Sequence, residues 1–206
     1  ITHRDSLGNE DTIAEGEVQW MTAGSGILHE EKLPAAKRLL GVQLWLNMPA
    51  KNKMAAPAYI SIKNSEIEEI RLDNGKLRLL AGKYNDRQGF RSKYLPLDFY
   101  DIHLDPGGLA SINTENESSV MIFTLSGDVY IGGEHVREKT AVKLTSGDHV
   151  EIRSTDKNAQ ILFISSLSLG EPVAWGGPIV MNTEEELNKA FEDLKAGTFL
   201  RNTISY

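Results

Sequence analysis

The chain has 206 residues, a formal net charge of −7 at pH 7, 40% apolar residues and no cysteine. This length and apolar content suffice for one large or two small packed domains. The acidic charge, without a block of Lys and Arg, argues against direct binding to nucleic acid. The absence of cysteine excludes disulfides, thiolate zinc sites and a cysteine nucleophile, so any metal must be held by His, Asp, Glu or water.

The sequence contains no segment typical of a membrane or exported protein. No apolar run approaches the ~20 residues that a transmembrane helix needs, and no charged-then-apolar signal peptide opens the chain. We therefore expect a cytoplasmic protein that does not bind membranes.

The first elements are predicted from the opening stretch ITHRDSLGNEDTI. It is typical of the second half of a strand, a turn at residues 6–9 and the start of another strand. Because the chain opens with Ile1 rather than Met, we expect it to begin inside a domain.

The stretch WMTAGSGILHEE, residues 20–31, places two glycines before a histidine and two acidic residues. If a strand begins at Gly26, its period of two puts His29 and Glu31 on one face. An imidazole and a carboxylate on one face are two adjacent ligands for a divalent metal. A metal site needs three or four ligands, however, and such a pair also occurs on solvated strand faces, so both interpretations stay open here.

Short alternating runs separated by Gly, Asn and Asp turns continue to about residue 169. Ten such strands predict an all-β sandwich or barrel, because no strand–helix alternation indicates a parallel sheet. The runs are EVQWMTA, GVQLWLNM, AYISI, KLRLLAG, FYDIHL, SVMIFTL, DVYIG, AVKLTSG, HVEIRS and QILFISSL.

One helix is predicted at the C-terminal end, in NTEEELNKAFEDLKAG. Thr183 and Glu186 have the spacing of a capping box, and Gly197 is typical of a helix end. The apolar stripe of this helix is formed by Leu187, Phe191 and Leu194.

Two stretches repeat the same plan. IAEGEVQWM at 13–21 and LTSGDHVEI at 144–152 each run from an apolar residue through a Gly-acid turn into an alternating strand. The second stretch follows another Gly-Asp turn at Gly127 and the strand SVMIFTL, and the first half has no counterpart of that strand. The repeat predicts two similar β-barrels in tandem, the first of which lacks its opening strands.

Three long blocks of the sequence resemble the pirin family, the bicupins that include pirin-like quercetin 2,3-dioxygenases. The resemblance covers essentially the whole chain and implies two tandem cupin barrels of the double-stranded β-helix, jelly-roll type, with a short C-terminal helix. We expect an incomplete N-terminal cupin domain at 1–97 and a C-terminal cupin domain at 98–206. The blocks are HRDSLGNEDTIAEGEVQWMTAGSGILHEE, GVQLWLNMPAKNKMAAPAYISI and GEPVAWGGPIVMNTEEELNKAFEDLKAGTF.

The resemblance also implies one metal, usually iron, in the N-terminal barrel. The family site joins a His-x-His pair to a His and a Glu that follow a glycine loop, and His29 and Glu31 match the second pair. The His-x-His pair belongs on a strand before residue 1, and His3 matches the turn entry HRDS instead. With two of four ligands, the chain is expected to bind Fe(II), or another divalent metal, weakly or not at all.

The function implied is an iron-dependent dioxygenase acting on a small aromatic substrate, a flavonol such as quercetin. In such a dioxygenase Glu31 is a metal ligand that also accepts the flavonol proton. The chain without the missing strands is expected to be inactive. The alternative is a non-enzymatic iron-binding regulator that contacts a protein partner, either a transcription factor or a metabolic enzyme. A sugar-isomerase bicupin fits the three blocks less well.

The other candidate residues are weaker. His103 has an acid two residues on, Asp105, but a Pro-Gly-Gly turn follows at once; His135 and His149 lie beside turns. The C-terminal barrel is expected to be metal-free, because polar residues stand where a cupin places histidines. These are Asn113, Thr114, Asn116 and Ser119. Core packing is favoured over a pocket-lining role for Trp20, Met21 and Trp45.

Overall fold

The computed structural model describes residues 1–201, and the all-β prediction is confirmed. Within this range one α-helix, α1 (Glu184–Ala196), accompanies nineteen strands and the short 3-10 helices Ala50–Asn52 and Asn64–Glu66. The strands are β1 (Thr2–Asp5), β2 (Glu10–Thr12), β3 (Val18–Thr22), β4 (His29–Lys32), β5 (Ala58–Ile62), β6 (Glu68–Leu72), β7 (Gly75–Ala81), β8 (Lys83–Tyr84), β9 (Arg87–Gln88), β10 (Leu97–Leu104), β11 (Leu109–Asn113), β12 (Ser118–Ser126), β13 (Val129–Ile131), β14 (Glu134–Val136), β15 (Ala141–Lys143), β16 (His149–Ser154), β17 (Ala159–Leu167), β18 (Ala174–Gly176) and β19 (Ile179–Met181). None of the helices described is long and apolar enough to span a bilayer.

The chain divides into two compact units. The first unit combines Ile1–Lys63 with the segment that begins at Leu169, and the second unit is Asn64–Ser168. The two units are defined by contacts within each unit and do not correspond to the expected cupin domains. The cupin-domain boundary expected between residues 97 and 98 therefore stays a prediction.

The second unit is built from two antiparallel sheets and a small hairpin. One sheet has the order β15-β12-β17-β10-β7-β6, the other has the order β11-β16-β13-β14, and β8 pairs with β9. Both sheets contribute side chains to one core, among them Leu77, Ile122 and Phe163 from the first and Ile112 and Ile152 from the second. On β16 buried and exposed side chains alternate, so the residues between its core positions face solvent. The neighbours of the core positions on β7 and β17 are buried as well, among them Arg78, Leu162 and Ile164.

The first unit contains three small sheets and α1. The sheets have the orders β2-β1-β4, β3-β5 and β18-β19, and β1 pairs antiparallel with both of its neighbours. The predicted capping box is confirmed, since Glu186 N–H donates to Thr183 Oγ1 at 3.2 Å and Thr183 N–H donates to the Glu186 carboxylate at 3.0 Å. The helix ends as predicted at Gly197, whose φ of 73° is left-handed.

The run GVQLWLNM, predicted as a strand over 41–48, is not one. The structure assigns no strand between Leu33 and Pro49, and most side chains from Leu33 to Gln43 are exposed. An alternating pattern gives a strand its period, but a strand also needs a neighbouring backbone to take its hydrogen bonds.

Burial in the two-sheet core predicts a clear contrast between two leucines. Leu79 is 0% exposed in β7, whereas Leu167 at the end of β17 is 54% exposed. Leu79→Ala should lower the free energy of unfolding by about 2–5 kcal/mol, because it removes buried methyl groups and leaves a cavity. Leu167→Ala, the matched control, should change it by less than about 0.5 kcal/mol. Urea denaturation checks both values, and equal losses would contradict this description of the core.

Candidate metal centre

The candidate site lies on one face of the sheet that contains β1 and β4. Their antiparallel register sets His3 opposite Glu31 and Asp5 opposite His29. Residues two apart share a face of a strand, and residues directly opposite in an antiparallel pair project to the same side. The pairing therefore gathers two imidazoles and two carboxylates on a single face.

The glycine loop before β4 makes two close approaches. Ser25 N–H donates to Ala55 O at 2.8 Å, and a Cβ on Gly24 would lie 2.1 Å from that same oxygen. A Cβ on Gly26 would lie 2.8 Å from a ring carbon of Phe199, and the φ angles of the two glycines are +52° and +126°. Only glycine fits both positions without strain. The loop thus delivers β4 to its place beside β1.

Three of the side chains form a compact set of donors. His3, His29 and Glu31 each offer one ligand atom, and the three atoms lie within 4.8 Å of one another. His29 Nδ1 is 3.9 Å from Glu31 Oε1, and the rings of His3 and His29 have centroids 5.5 Å apart. Two imidazoles and one carboxylate suit Fe, Ni or Zn and leave further coordination positions open. The donor set therefore fits a divalent transition metal.

The three donors differ in exposure. The side chain of His3 is 1% exposed, whereas those of His29 and Glu31 are 31% and 38% exposed. The set thus has one buried member and two members that solvent, or a small molecule, can reach.

His3 is fixed by its neighbours. Its Nε2 lies 3.0 Å from Asp5 Oδ2, and its ring stacks on Tyr59 with centroids 4.0 Å apart. Asp5 Oδ1 also accepts from Leu7 N–H at 2.9 Å and Asn9 N–H at 3.1 Å. Burial raises the pKa of Asp5, but the hydrogen bonds from Asn9 and His3 outweigh it and hold the pKa below its usual value. Asp5 is therefore a carboxylate at neutral pH.

Tyr59 is itself anchored and remains a neutral phenol. Its hydroxyl donates to Asp11 Oδ2 at 3.3 Å, and Lys63 Nζ lies 3.2 Å from Asp11 Oδ1. Burial and the charge of Asp11 raise the pKa of Tyr59 to about 12.

The structure brings His29 and Glu31 together, as their spacing predicted; that they bind a metal stays a prediction. The third member, His3, was not predicted as part of the site, because in the sequence it matches the turn entry HRDS. Its sequence signal is the His-x-Asp alternation that puts His3 and Asp5 on one face of β1. That signal does not reveal β4 as the neighbouring strand, so it does not show what His3 faces.

His103 lies in a different environment from the one its sequence suggested. Its Nε2 is 3.0 Å from Asp101 Oδ2, on the residue two before it, rather than from Asp105. Asp101 is also 3.1 Å from Arg78 Nη1. Asp101 is thus already paired twice, which is typical of a structural ion-pair network rather than of a metal site.

A second His-x-Glu pair occurs on β16. His149 Nε2 is 3.8 Å from Glu151 Oε1, almost the separation of His29 and Glu31. The residues opposite them on β11 are Asn113 and Ser111, neither of which is ionisable. In the part of the chain that the structure describes, His3, His29 and Glu31 form the only group of three metal-ligating side chains.

The aromatic residues near the glycine loop have different environments. Trp20 and Met21 are half-buried on β3. Trp45 is 55% exposed, so the core interpretation is wrong for this residue.

Comparison with known proteins identifies the family. Residues 1–46 match the family model described as Pirin, and residues 99–200 match the Pirin C-terminal cupin domain. A putative quercetin 2,3-dioxygenase of Thermoplasma acidophilum is 35% identical over 222 residues, which cover 97% of this chain and 85% of that protein. The chain belongs to the pirin family. The expected fold class, all-β with tandem cupins, is confirmed with it.

Solved structures of two related proteins share this fold. Quercetin 2,3-dioxygenase from Acinetobacter baumannii matches with a TM-score of 0.87 and 30% identity, over 98% of this chain and 73% of that chain. A bacterial pirin from Escherichia coli, solved in complex with nickel(II), matches with a TM-score of 0.59 and 21% identity, over 81% and 67% of the two chains.

The hydrogen bonds of Asp5 predict that Asp5→Ala destabilises the fold. The change should lower the free energy of unfolding by about 2–4 kcal/mol, since each buried donor left unsatisfied costs about 1–3 kcal/mol. The folded-state pKa of Asp5 is lowered, so this contribution is present above the unfolded pKa of about 4 and is lost as pH falls through the folded pKa.

Urea denaturation of the wild type and the Asp5→Ala variant at pH 7 and pH 3 measures this contribution. The control is Asp86→Ala, because that side chain is 87% exposed and should contribute little at either pH. A difference between wild type and Asp5→Ala that grows on acidification would contradict the assignment.

Proposed function

We propose that the protein is a pirin-type dioxygenase that uses Fe(II) to oxidise a flavonol such as quercetin. The observation that carries the proposal is the set of three donors within 4.8 Å, formed by His3, His29 and Glu31 in a segment that matches the Pirin family model. Relatives at 35% and 30% identity carry the name quercetin 2,3-dioxygenase. The nickel(II) complex of the E. coli pirin supports a divalent metal.

His29 and Glu31 are the residues we propose as metal ligands, His29 through a ring nitrogen and Glu31 through a carboxylate oxygen. When bound, Fe(II) would act as a Lewis acid for the hydroxyl and ketone oxygens of the flavonol and would supply redox chemistry with dioxygen. The exposure of both side chains gives a planar aromatic molecule a route to the site.

Glu31 is also the proposed proton acceptor. A flavonol hydroxyl must lose its proton before the ring is activated, and a carboxylate at the solvent-facing side of the site is placed to accept it. Tyr59 is unsuited to that role, because its raised pKa keeps the phenol protonated and its hydroxyl already donates to Asp11.

Turnover of quercetin tests the proposal, followed by flavonol absorbance and dioxygen uptake. The test uses Fe(II)-reconstituted protein extended through the strand that carries the family's His-x-His pair, because residues 1–206 alone are expected to bind the metal weakly. Glu31→Gln should lower kcat by about 10²–10⁴, the usual contribution of a general base. His29→Ala should lower both iron content and turnover. The matched controls are His149→Ala and Glu151→Gln, which alter the other His-x-Glu pair. Equal losses from both pairs, or turnover that survives in Glu31→Gln, would contradict the proposal.

A metal-bearing regulatory protein is the second candidate, in which iron redox state sets the affinity for a protein partner. The observation that favours it is a segment of exposed apolar side chains, an arrangement common at interaction surfaces. These are Leu33, Leu39, Leu40, Val42 and Trp45. Protein that binds iron at His29 and Glu31 but leaves quercetin intact would favour this candidate. A cytoplasmic location and the absence of direct nucleic-acid binding stay predictions from the sequence.

A further inference from the structure

We infer that Phe199 is a positioning residue for the candidate metal centre, and that the docking of its ring against the glycine loop, residues 24–26, is coupled to metal binding. The glycine loop leads into β4, which carries His29 and Glu31. The inference rests on the proposed function, because it concerns the metal that these two residues are proposed to bind.

The ring of Phe199 packs directly on the backbone of Gly26. A Cβ on Gly26 would lie 2.8 Å from one carbon of the ring and 3.1 Å from another. Gly26 is buried, and its φ of +126° is a conformation that residues with a side chain rarely adopt. The glycine thus brings its backbone against an aromatic ring shortly before the chain enters β4.

The same ring belongs to the apolar cluster between α1 and the hairpin of β18 and β19. The buried members of this cluster are Ala174, Ile179 and Leu187, and both Phe191 and Phe199 pack against them. Phe199 therefore contacts the glycine loop and the packing of the helix at the same time. Any movement of the ring away from one of them also changes the other.

The end of α1 sets the position of Phe199. Gly197 has a left-handed φ of 73°, and its N–H donates to Leu194 O at 3.3 Å. Thr198 N–H donates to Asp193 O at 2.9 Å, so the chain is hydrogen-bonded to the last turn of the helix up to the residue before Phe199. The ring is thus presented by a fixed helix end.

A second contact ties the glycine loop to the same part of the chain. Ser25 N–H donates to Ala55 O at 2.8 Å, and Ala55 N–H donates to Asn52 O at 2.9 Å. Asn52 ends the short 3-10 helix that begins at Ala50, whose N–H donates to Glu171 Oε2 at 2.7 Å. The segment that precedes β18 therefore supports the loop indirectly, while Phe199 supports it directly.

Loss of the Phe199 contact should weaken metal binding because ligands must be held within about 0.5 Å of the binding geometry. Without the ring, Gly26 is uncovered, and a glycine backbone has more conformational freedom than any other. His29 and Glu31 would then have to be ordered as the metal binds, which costs affinity. By linkage, a metal that binds better to the docked form strengthens docking by the same factor.

Zn²⁺ affinity, measured by competition with a chromogenic chelator, tests the inference. The measurement uses the protein extended through the strand of the His-x-His pair, as in the turnover test. We expect Phe199→Ala to raise the Kd by about 5–150-fold, the usual range for coupling between two sites. Phe199→Leu keeps an apolar side chain, so its Kd should lie between those of the wild type and Phe199→Ala.

The matched control is Phe191→Ala, which removes a ring from the same apolar cluster. That ring contacts Gly176 instead of the glycine loop, since a Cβ on Gly176 would lie 3.1 Å from it. Phe191→Ala should lower the stability of the fold but raise the Kd by less than about 3-fold, because it leaves the contact with Gly26 in place. Equal rises in the two variants would overturn the inference, since general destabilisation would then explain both.

Amide hydrogen exchange of the wild-type protein, with and without Zn²⁺, measures the same coupling in the other direction. Zn²⁺ should slow the exchange of the Gly197 and Thr198 amides, which report on the docking of the helix end. The slowing should exceed that of the Leu187 amide, which donates to Thr183 O within the first turn of α1. General stabilisation of the helix would instead slow all three amides alike.

The two measurements separate failure of the inference from failure of the proposed function. If His29→Ala leaves the Kd for Zn²⁺ unchanged, the proposed metal site fails and the inference fails with it. If His29→Ala raises the Kd, the inference is overturned by an unchanged Kd in folded Phe199→Ala protein or by equal slowing of the three amides. If Phe199→Ala does not fold, the wild-type exchange still decides.

Discussion

The antiparallel pairing of β1 with β4 is the constraint on which the candidate site depends. In this pairing His3 lies opposite Glu31 and Asp5 lies opposite His29. Two hydrogen bonds hold one end of it, from Ser6 N–H to Leu28 O at 2.8 Å and from Leu28 N–H to Ser6 Oγ at 3.1 Å. A slip of one residue would turn His29 and Glu31 to the opposite face, away from His3. The tight glycine loop serves this register, because it sets where β4 begins.

Some residues of the site are held rigidly, and others are accessible to solvent. The buried part, His3 with Asp5 and Tyr59, is held by hydrogen bonds and ring stacking, while His29 and Glu31 remain open to solvent. This arrangement would let a substrate approach a metal bound here, as we propose, while one side of the site stays fixed. The His103 network differs in this respect, because Asp101 is already paired with two side chains.

The secondary structure was predicted most accurately where the sequence signals lie within a few residues of one another. The capping box at Thr183 and Glu186 and the stop at Gly197 specify α1 through residues only a few positions apart. Alternation likewise predicted strands such as β10, β12 and β17. It failed at 41–48, where the period of a strand is present but the structure places no neighbouring strand beside it.

Predicting the candidate site required knowing which residues far apart in the sequence lie next to each other in the fold. The spacing of His29 and Glu31, with the family resemblance, sufficed to put two donors on one face. His3 was missed because its role depends on the register between segments more than twenty residues apart, which no local pattern encodes. The buried position of Asp5 beside it arises in the same way.

Anomalous diffraction from crystals of the metal-loaded protein, recorded at the metal absorption edge, tests the central claim most directly. We expect one strong peak between β1 and β4, with a nitrogen of His29 and an oxygen of Glu31 about 2.0–2.2 Å away if the metal is zinc. A strong peak beside His149 and Glu151 with none between β1 and β4 would contradict it.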